Sequence, residues 1–208
     1  MIAIIDYNAG NLTSVKRAMD YLGKDSVITD DYSRIINAER IVFPGVGAAG
    51  KAMADLKKRR LDQAIIEAFN TKKPILGICL GTQIIMETSE ENDTKCLGII
   101  KGKVIRFTRG SARFKVPHMG WNTIALKRNH PLFQGVDRDS EFYFVHSYCP
   151  APEDPEKILG ETDYITRFAS VLAAGNLAAM QFHPEKSGAP GLKILANFCE
   201  WDGRDYVE

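Results

Sequence analysis

Lys73-Pro74-Ile75-Leu76-Gly77-Ile78-Cys79-Leu80-Gly81-Thr82-Gln83 is the stretch that decides the fold. Ile75 to Ile78 is a short apolar run of the kind that forms a buried strand. Gly77-Ile78-Cys79-Leu80-Gly81 closes it as a small-residue turn, and Leu80, Ile84 and Ile85 then begin a helix expected to reach about Glu87. Strand, Gly-x-Cys-x-Gly turn and helix together have the form of a nucleophile elbow. The turn lifts Cys79 clear of the sheet and leaves it at a helix N-terminus, where unpaired N–H groups favour a thiolate. The same five residues also suit a cysteine that is only a small buried hydrophobe. The rest of the chain has to choose between these readings.

Working outward, Ile2–Ile5, Ser26–Thr29 and Ile41–Phe43 read as further strands. Between them, Asn11 is placed to cap a helix carrying Leu12, Val15, Ala18, Met19 and Leu22 on one face, with Gly23 as its stop. Helical patterns cover Ala48 to Leu56 and Leu61 to Phe69. This alternation predicts an α/β fold, a mostly parallel central sheet with helices on both faces. Ligands in such sheets bind beyond the C-terminal ends of the strands. Three loops meet there: Asp6 to Asn11, Pro44 to Gly47, and the Cys79 elbow.

The second half changes character. Gly98–Phe107, Thr123–Leu126, Phe142–Val145, Tyr164–Thr166, Val171–Ala173 and Ala178–Phe182 read as short strands. Ala174-Gly175-Asn176 is the expected hairpin turn, and a last helix runs from about Gly191 to Glu200. These predict an antiparallel extension of the parallel sheet. With no linker or repeat in view, residues 1–208 are expected to form a single domain.

Charge removes several classes of function. The 27 basic and 26 acidic residues nearly cancel, so neither nucleic acid nor an anionic membrane is an expected partner. Lys57-Lys58-Arg59-Arg60 lies within a helical pattern and reads as a solvated face. Cys79, Cys96, Cys149 and Cys199 fit no zinc or CxxC spacing, so no metal is expected and a reducing cytoplasm suits them. No apolar run approaches the ~20 residues of a membrane span. Met1-Ile2-Ala3-Ile4-Ile5-Asp6 meets an acid too early for a secretory signal. A nucleotide binder is disfavoured because the Asp6 to Asn11 loop has only one glycine and no GxGxxG or GxxxxGKS pattern, so the phosphate cradle is missing there, and no cofactor is expected.

A cysteine nucleophile needs a base. Of His118, His130, His146 and His183, the last follows an apolar strand in Gln181-Phe182-His183-Pro184-Glu185. If strand geometry persists to residue 185, Glu185 lies on the same side as His183 and can orient it. An exposed His-Pro-Glu turn is the competing reading. An oxyanion hole needs backbone N–H donors. Leu80 follows the nucleophile directly, and Gly45-Val46-Gly47 closes a neighbouring strand.

Gly77 to Gln83 with Phe182-His183-Pro184-Glu185 resembles class I (triad-type) glutamine amidotransferases. The likeness extends through Asp6-Tyr7-Asn8-Ala9-Gly10-Asn11, Pro44 to Gly47, Pro117-His118-Met119-Gly120-Trp121-Asn122 and Phe144-Val145-His146-Ser147-Tyr148. In that order these narrow it to the branch that serves imidazole glycerol phosphate synthesis. The resemblance implies a flavodoxin-like amidotransferase fold and a Cys79, His183, Glu185 triad that hydrolyses glutamine through a γ-glutamyl thioester. It implies Leu80 and Val46 as oxyanion donors, the Val46 donor forming only after a peptide rearrangement. Gly47, Gln83, Glu91, Ser147 and Tyr148 would bind glutamine. Asn11, Trp121, Tyr143 and Lys186 would meet a (β/α)8-barrel cyclase partner that receives the ammonia in a heterodimer. From the residues alone, Trp121 also fits a core aromatic, Tyr143 a strand residue and Lys186 an exposed lysine. Two positions depart from the family: Thr82, where Met is frequent, and Cys149, after His-Ser-Tyr. A glutaminase for another synthase, such as those making anthranilate or GMP, and a non-catalytic regulatory domain remain open alternatives.

Overall fold

Short apolar runs separated by helices build the centre of the molecule. The computed structural model describes residues 1–8, 10–108 and 114–204; Ala9 of the first expected loop and 205–208 of the tail lie outside them. In chain order the strands are β1 Ile2–Ile5, β2 Ser26–Thr29, β3 Arg40–Gly45, β4 Ile75–Cys79, β5 Met86–Ser89, β6 Thr94–Lys95 and β7 Ile100–Arg106. They continue as β8 His118–Asn122, β9 Ala125–Leu126, β10 Phe142–His146, β11 Tyr148–Pro152, β12 Ile158–Asp163, β13 Arg167–Ala174 and β14 Leu177–Met180. The helices are α1 Leu12–Tyr21, α2 Tyr32–Asn37, α3 Ala49–Lys58, α4 Leu61–Asn70, α5 Leu80–Ile84 and α6 Gly188–Glu200.

The main sheet has the order β2-β1-β3-β4-β14-β13-β12-β9. Its first five strands are parallel, and β13, β12 and β9 extend it antiparallel. This is the expected mixed sheet. Side-chain alternation divides β1 between two cores. Ala3 and Ile5 join Met53 and Leu56 of α3 and Ile65 of α4. Ile2 and Ile4 join Val15 and Met19 of α1 and Ile194 and Phe198 of α6. Helices therefore cover both faces. Two smaller sheets, β10-β8 and β11-β7-β5-β6, complete the fold, and the β10–β11 junction faces Cys79 at the C-terminal end of β4. No helix among the described residues is long and apolar enough to cross a membrane.

Four expectations give way to the structure. The helix after Cys79 stops at Ile84 instead of reaching Glu87, because Leu97, Ile99 and Gly98 donate to the carbonyls of Ile84, Ile85 and Met86. Those acceptors are lost to a continuing helix, and Met86–Ser89 becomes a strand beside β7. Thr123 and Ile124 lie outside any strand; the pairing segment begins earlier, with His118–Asn122 against Phe142–His146. Its pattern is inverted, with His118 buried and Met119 and Trp121 exposed, which hides it from a hydrophobic-periodicity reading. Tyr164 to Thr166 is the turn joining β12 to β13, since the ladder closes at Asp163 opposite Arg167. Asn11 does not cap α1 with its side chain; it adopts a left-handed backbone and reaches elsewhere.

Candidate active site

β4 lies between β3 and β14, so the elbow is flanked on both sides. Gly45 pairs with Cys79 across β3, and Met180 pairs with Ile78 across β14. Cys79 ends β4 with φ 53 and ψ −104. A non-glycine residue at such a positive φ is strained, as a nucleophile elbow requires. Gly81 lets α5 lie directly on β3: a Cβ there would overlap the Phe43 carbonyl oxygen and come within 3.1 Å of its carbon. Leu80 opens α5, so its N–H has no acceptor within the helix. Thr82 is fully buried, and its hydroxyl donates to the Met180 carbonyl at 2.6 Å, which ties the elbow to β14. The departure at Thr82 thus replaces apolar packing with a hydrogen bond to the neighbouring strand.

The chain leaves β14 at Met180 and reaches His183 in an extended conformation, then makes a tight 3-10 turn at Pro184–Lys186. Strand geometry does not persist to residue 185. The turn itself brings Glu185 back, and its Oε1 lies 2.8 Å from His183 Nδ1. Both side chains are buried. Asn11 also donates its amide to Glu185 Oε1. His183 Nε2 has no hydrogen bond among the described residues. Burial alone would depress this imidazole, but Cys79 and Glu185 outweigh it and raise its pKa to about 9.

A cavity of about 330 Å³ opens beside the sulfur. Cys79, Leu80, Val46, Gly47, Gln83, Glu91, Ser147 and Tyr148 all line it, together with Pro117, Val145 and His146. Its size suits a small polar molecule. Val46 is 38% exposed and follows Gly45, one step beyond the Cys79 pairing. Gly47 has φ 106, open to glycine and unfavourable to other residues. Glu91 Oε2 accepts from the Ala49 N–H at 2.6 Å, so it also anchors the start of α3 directly after this segment. A larger hollow, about 1120 Å³, is lined by residues between Thr123 and Phe142 and contains neither Cys79 nor His183.

The chain belongs to the class-I glutamine amidotransferase family. Residues 3–201 match the family described as "Glutamine amidotransferase class-I". Imidazole glycerol phosphate synthase subunit HisH of Maridesulfovibrio salexigens is 50% identical over 97% of each chain. The HisH subunit of Methylococcus capsulatus is 47% identical over 97% of this chain and 96% of its own. Among solved structures, PurLQS from Thermotoga maritima superposes with a TM-score of 0.72 at 18% identity, covering 96% of this chain and 97% of that one. A glutamine amidotransferase from the same organism gives 0.70 at 15% identity, covering 96% of both. These two likenesses concern the fold.

Of the amidotransferase's remaining candidates, exposed Trp121, half-buried Tyr143 and exposed Lys186 form one row. Trp121 and Tyr143 pair across β8 and β10 with rings 5.8 Å apart, and Lys186 Nζ stands 5.9 Å from the Tyr143 ring. Trp121 is 53% and Met119 61% exposed. Sequence reasoning missed Met119, which presents its side chain on the same face of β8. It also missed the His118–His146 pair, whose ring nitrogens lie 3.0 Å apart beneath the row. Burial lowers His118 to about 4 and His146 to about 3, so both are neutral at pH 7. Cys149 is buried and its thiol is raised to about 12 by burial, leaving it inert.

Proposed function

We propose that this chain is the glutaminase subunit of an imidazole glycerol phosphate synthase, acting in histidine biosynthesis in the cytoplasm. The observation that carries the reading is a strained cysteine at the C-terminal edge of a parallel sheet, beside a cavity and a buried His183–Glu185 pair. Likeness to HisH subunits over nearly the whole chain, at 47–50% identity, favours this synthase over those making anthranilate or GMP.

In this mechanism the Cys79 thiolate attacks the side-chain carboxamide carbon of glutamine. The carbonyl electrons move to oxygen, which the Leu80 and Val46 N–H groups receive. His183, held by Glu185, gives its proton to the departing ammonia and leaves a γ-glutamyl thioester. It then takes a proton from water as the water attacks, and glutamate is released. Gly47, Gln83, Glu91, Ser147 and Tyr148 hold the substrate in the cavity. Ammonia passes to a (β/α)8-barrel cyclase docked over Asn11, Trp121, Tyr143 and Lys186. An exposed aromatic and methionine patch beside a lysine has the composition of a protein interface.

The test is Cys79→Ala in the reconstituted complex. Glutamine-dependent synthesis is expected to vanish while ammonia-dependent synthesis by the barrel continues. A Cys79→Ala complex that still used glutamine would overturn the mechanism.

A further inference from the structure

Gln181 has no role in the chemistry so far, yet it touches the reacting sulfur. Its side-chain Nε2 donates to Cys79 Sγ at 3.7 Å. The residue is completely buried. It follows β14 directly, opposite the elbow, and its backbone N–H is fixed by the Ser170 carbonyl at 2.8 Å.

The direction of this amide is set by its neighbours. Gln83 Nε2 lies 3.0 Å from the Tyr148 carbonyl, which can only accept. Gln83 must therefore turn its nitrogen there. The same nitrogen lies 3.1 Å from Gln181 Oε1. Its two hydrogens serve these two acceptors, so Gln181 must present oxygen to Gln83 and nitrogen to the sulfur. The Tyr148 carbonyl is itself held by His146 Nδ1 at 2.8 Å. His146 then offers the lone pair of Nε2 to the N–H at His118 Nδ1. Each hydrogen in the chain has one consistent direction, and reversing Gln181 would set two N–H groups against each other.

We propose that Gln181 is a catalytic residue whose carboxamide N–H stabilises negative charge on the Cys79 sulfur. This deepens the glutaminase reading and rests on it. The charge is present twice in the cycle. Before attack, the sulfur holds the electron pair that will form the C–S bond. In thioester hydrolysis, water oxygen adds to the carbonyl carbon and its proton goes to His183 Nε2. The C–S pair then returns to sulfur as the bond breaks, facing the Gln181 N–H. A hydrogen bond to a charged acceptor is stronger than one to a neutral thioester, so the group favours both the resting thiolate and its departure.

The experiment uses the complex with its partner subunit and two variants. Gln181→Met keeps length without polar hydrogens, and Gln181→Glu keeps shape while presenting oxygen to the sulfur. The readouts are the rate of Cys79 alkylation by iodoacetamide at neutral pH, the thiolate ultraviolet absorbance relative to Cys79→Ala, and glutaminase kcat and KM. For Gln181→Met, alkylation and kcat are expected to fall about tenfold or more, with KM within about twofold. Gln181→Glu is expected to lose at least as much alkylation. Co-elution of the two subunits in gel filtration reports that the complex is assembled. If either variant forms the complex and its alkylation rate stays within about twofold of the parent, the proposal is overturned. A parent complex that is alkylated but does not hydrolyse glutamine would refute the glutaminase reading, while the alkylation comparison still decides the role of Gln181.

Discussion

Gly81→Ala tests the elbow at its tightest point. The added methyl would overlap the Phe43 carbonyl oxygen and sit 3.1 Å from the carbonyl carbon. Both are backbone atoms of β3, and Phe43 is fully buried, so neither can rotate away. Relief requires α5 to lift from β3 by about 1 Å to restore ordinary contact distances. Overpacking of this kind costs about 1–3 kcal/mol. At about 2–4 °C per kcal/mol for a chain of this size, the melting temperature should fall by roughly 5 °C. The larger effect is on chemistry. Cys79 is two residues away, and a displacement of about 1 Å can cost roughly 100-fold in rate. Gly23→Ala is the control: its φ is +66 and nothing lies within 4 Å of the added Cβ. It meets only backbone strain of about 1 kcal/mol, and kcat should not change. Thermal melts and glutaminase assays of both variants in the complex decide the matter. A Gly81→Ala protein with parental melting temperature and kcat would show that close packing of α5 does not position the nucleophile.

Trp121→Ala should leave the melting temperature unchanged, because the ring is half exposed, but weaken partner binding by about 2 kcal/mol, roughly 30-fold. Titration calorimetry reads the affinity, and a loss below threefold would move the docking face elsewhere. Acid should destabilise the fold through the histidine pair, whose pKa values fall to about 4 and about 3 on folding. The unfolded chain takes up protons below about pH 6.5 that the native state refuses. Stability is therefore full above that pH and declines toward pH 4 by up to about 1.4 kcal/mol per pH unit for each imidazole. His183 acts oppositely: its raised pKa contributes fully below about 6.5, and the contribution is lost as pH rises through about 9. Urea titrations across this range measure both, and stability that stays flat from pH 6.5 to 4 would refute the assignment to buried neutral imidazoles.

The parallel half of the fold was legible because β1, β3, β4 and β14 are short runs buried almost throughout, which need no partner to be recognised. The elbow was legible for a related reason: glycines flanking Cys79 answer to local geometry. Tertiary override begins at Ile84, where pairing with 97–99 ends a helix that local pattern would continue. The segment His118–Asn122 was hidden because its exposed side carries Met119 and Trp121. Large apolar side chains on the exposed face invert the rule by which strands are read. Glu185 was legible as a neighbour of His183, although a tight turn rather than a strand brings them together. Gln181 was quoted in the motif without a role, because the direction of its amide depends on Gln83 and Tyr148, distant in sequence.

The proposed docking face is wired into the catalytic groups by backbone and side-chain bonds that span only one residue each. The Tyr143 carbonyl accepts the His183 N–H at 2.9 Å, while the Tyr143 ring stands beside Trp121. Asn11 holds Glu185 from the loop after β1. On that loop, Gly10 lies so close to Val46 that a Cβ on it would come within 2.9 Å of the valine side chain. His183, Glu185 and Val46 thus each touch an element that carries a residue of the proposed docking face or adjoins one. A partner docked over the proposed face would press on β10, whose Tyr143 carbonyl holds His183, and on Asn11, whose amide holds Glu185. With a partner docked on the proposed face, such contacts would couple ammonia release to occupancy of that face. A free subunit has no such contact to complete its site, and should therefore turn over glutamine slowly.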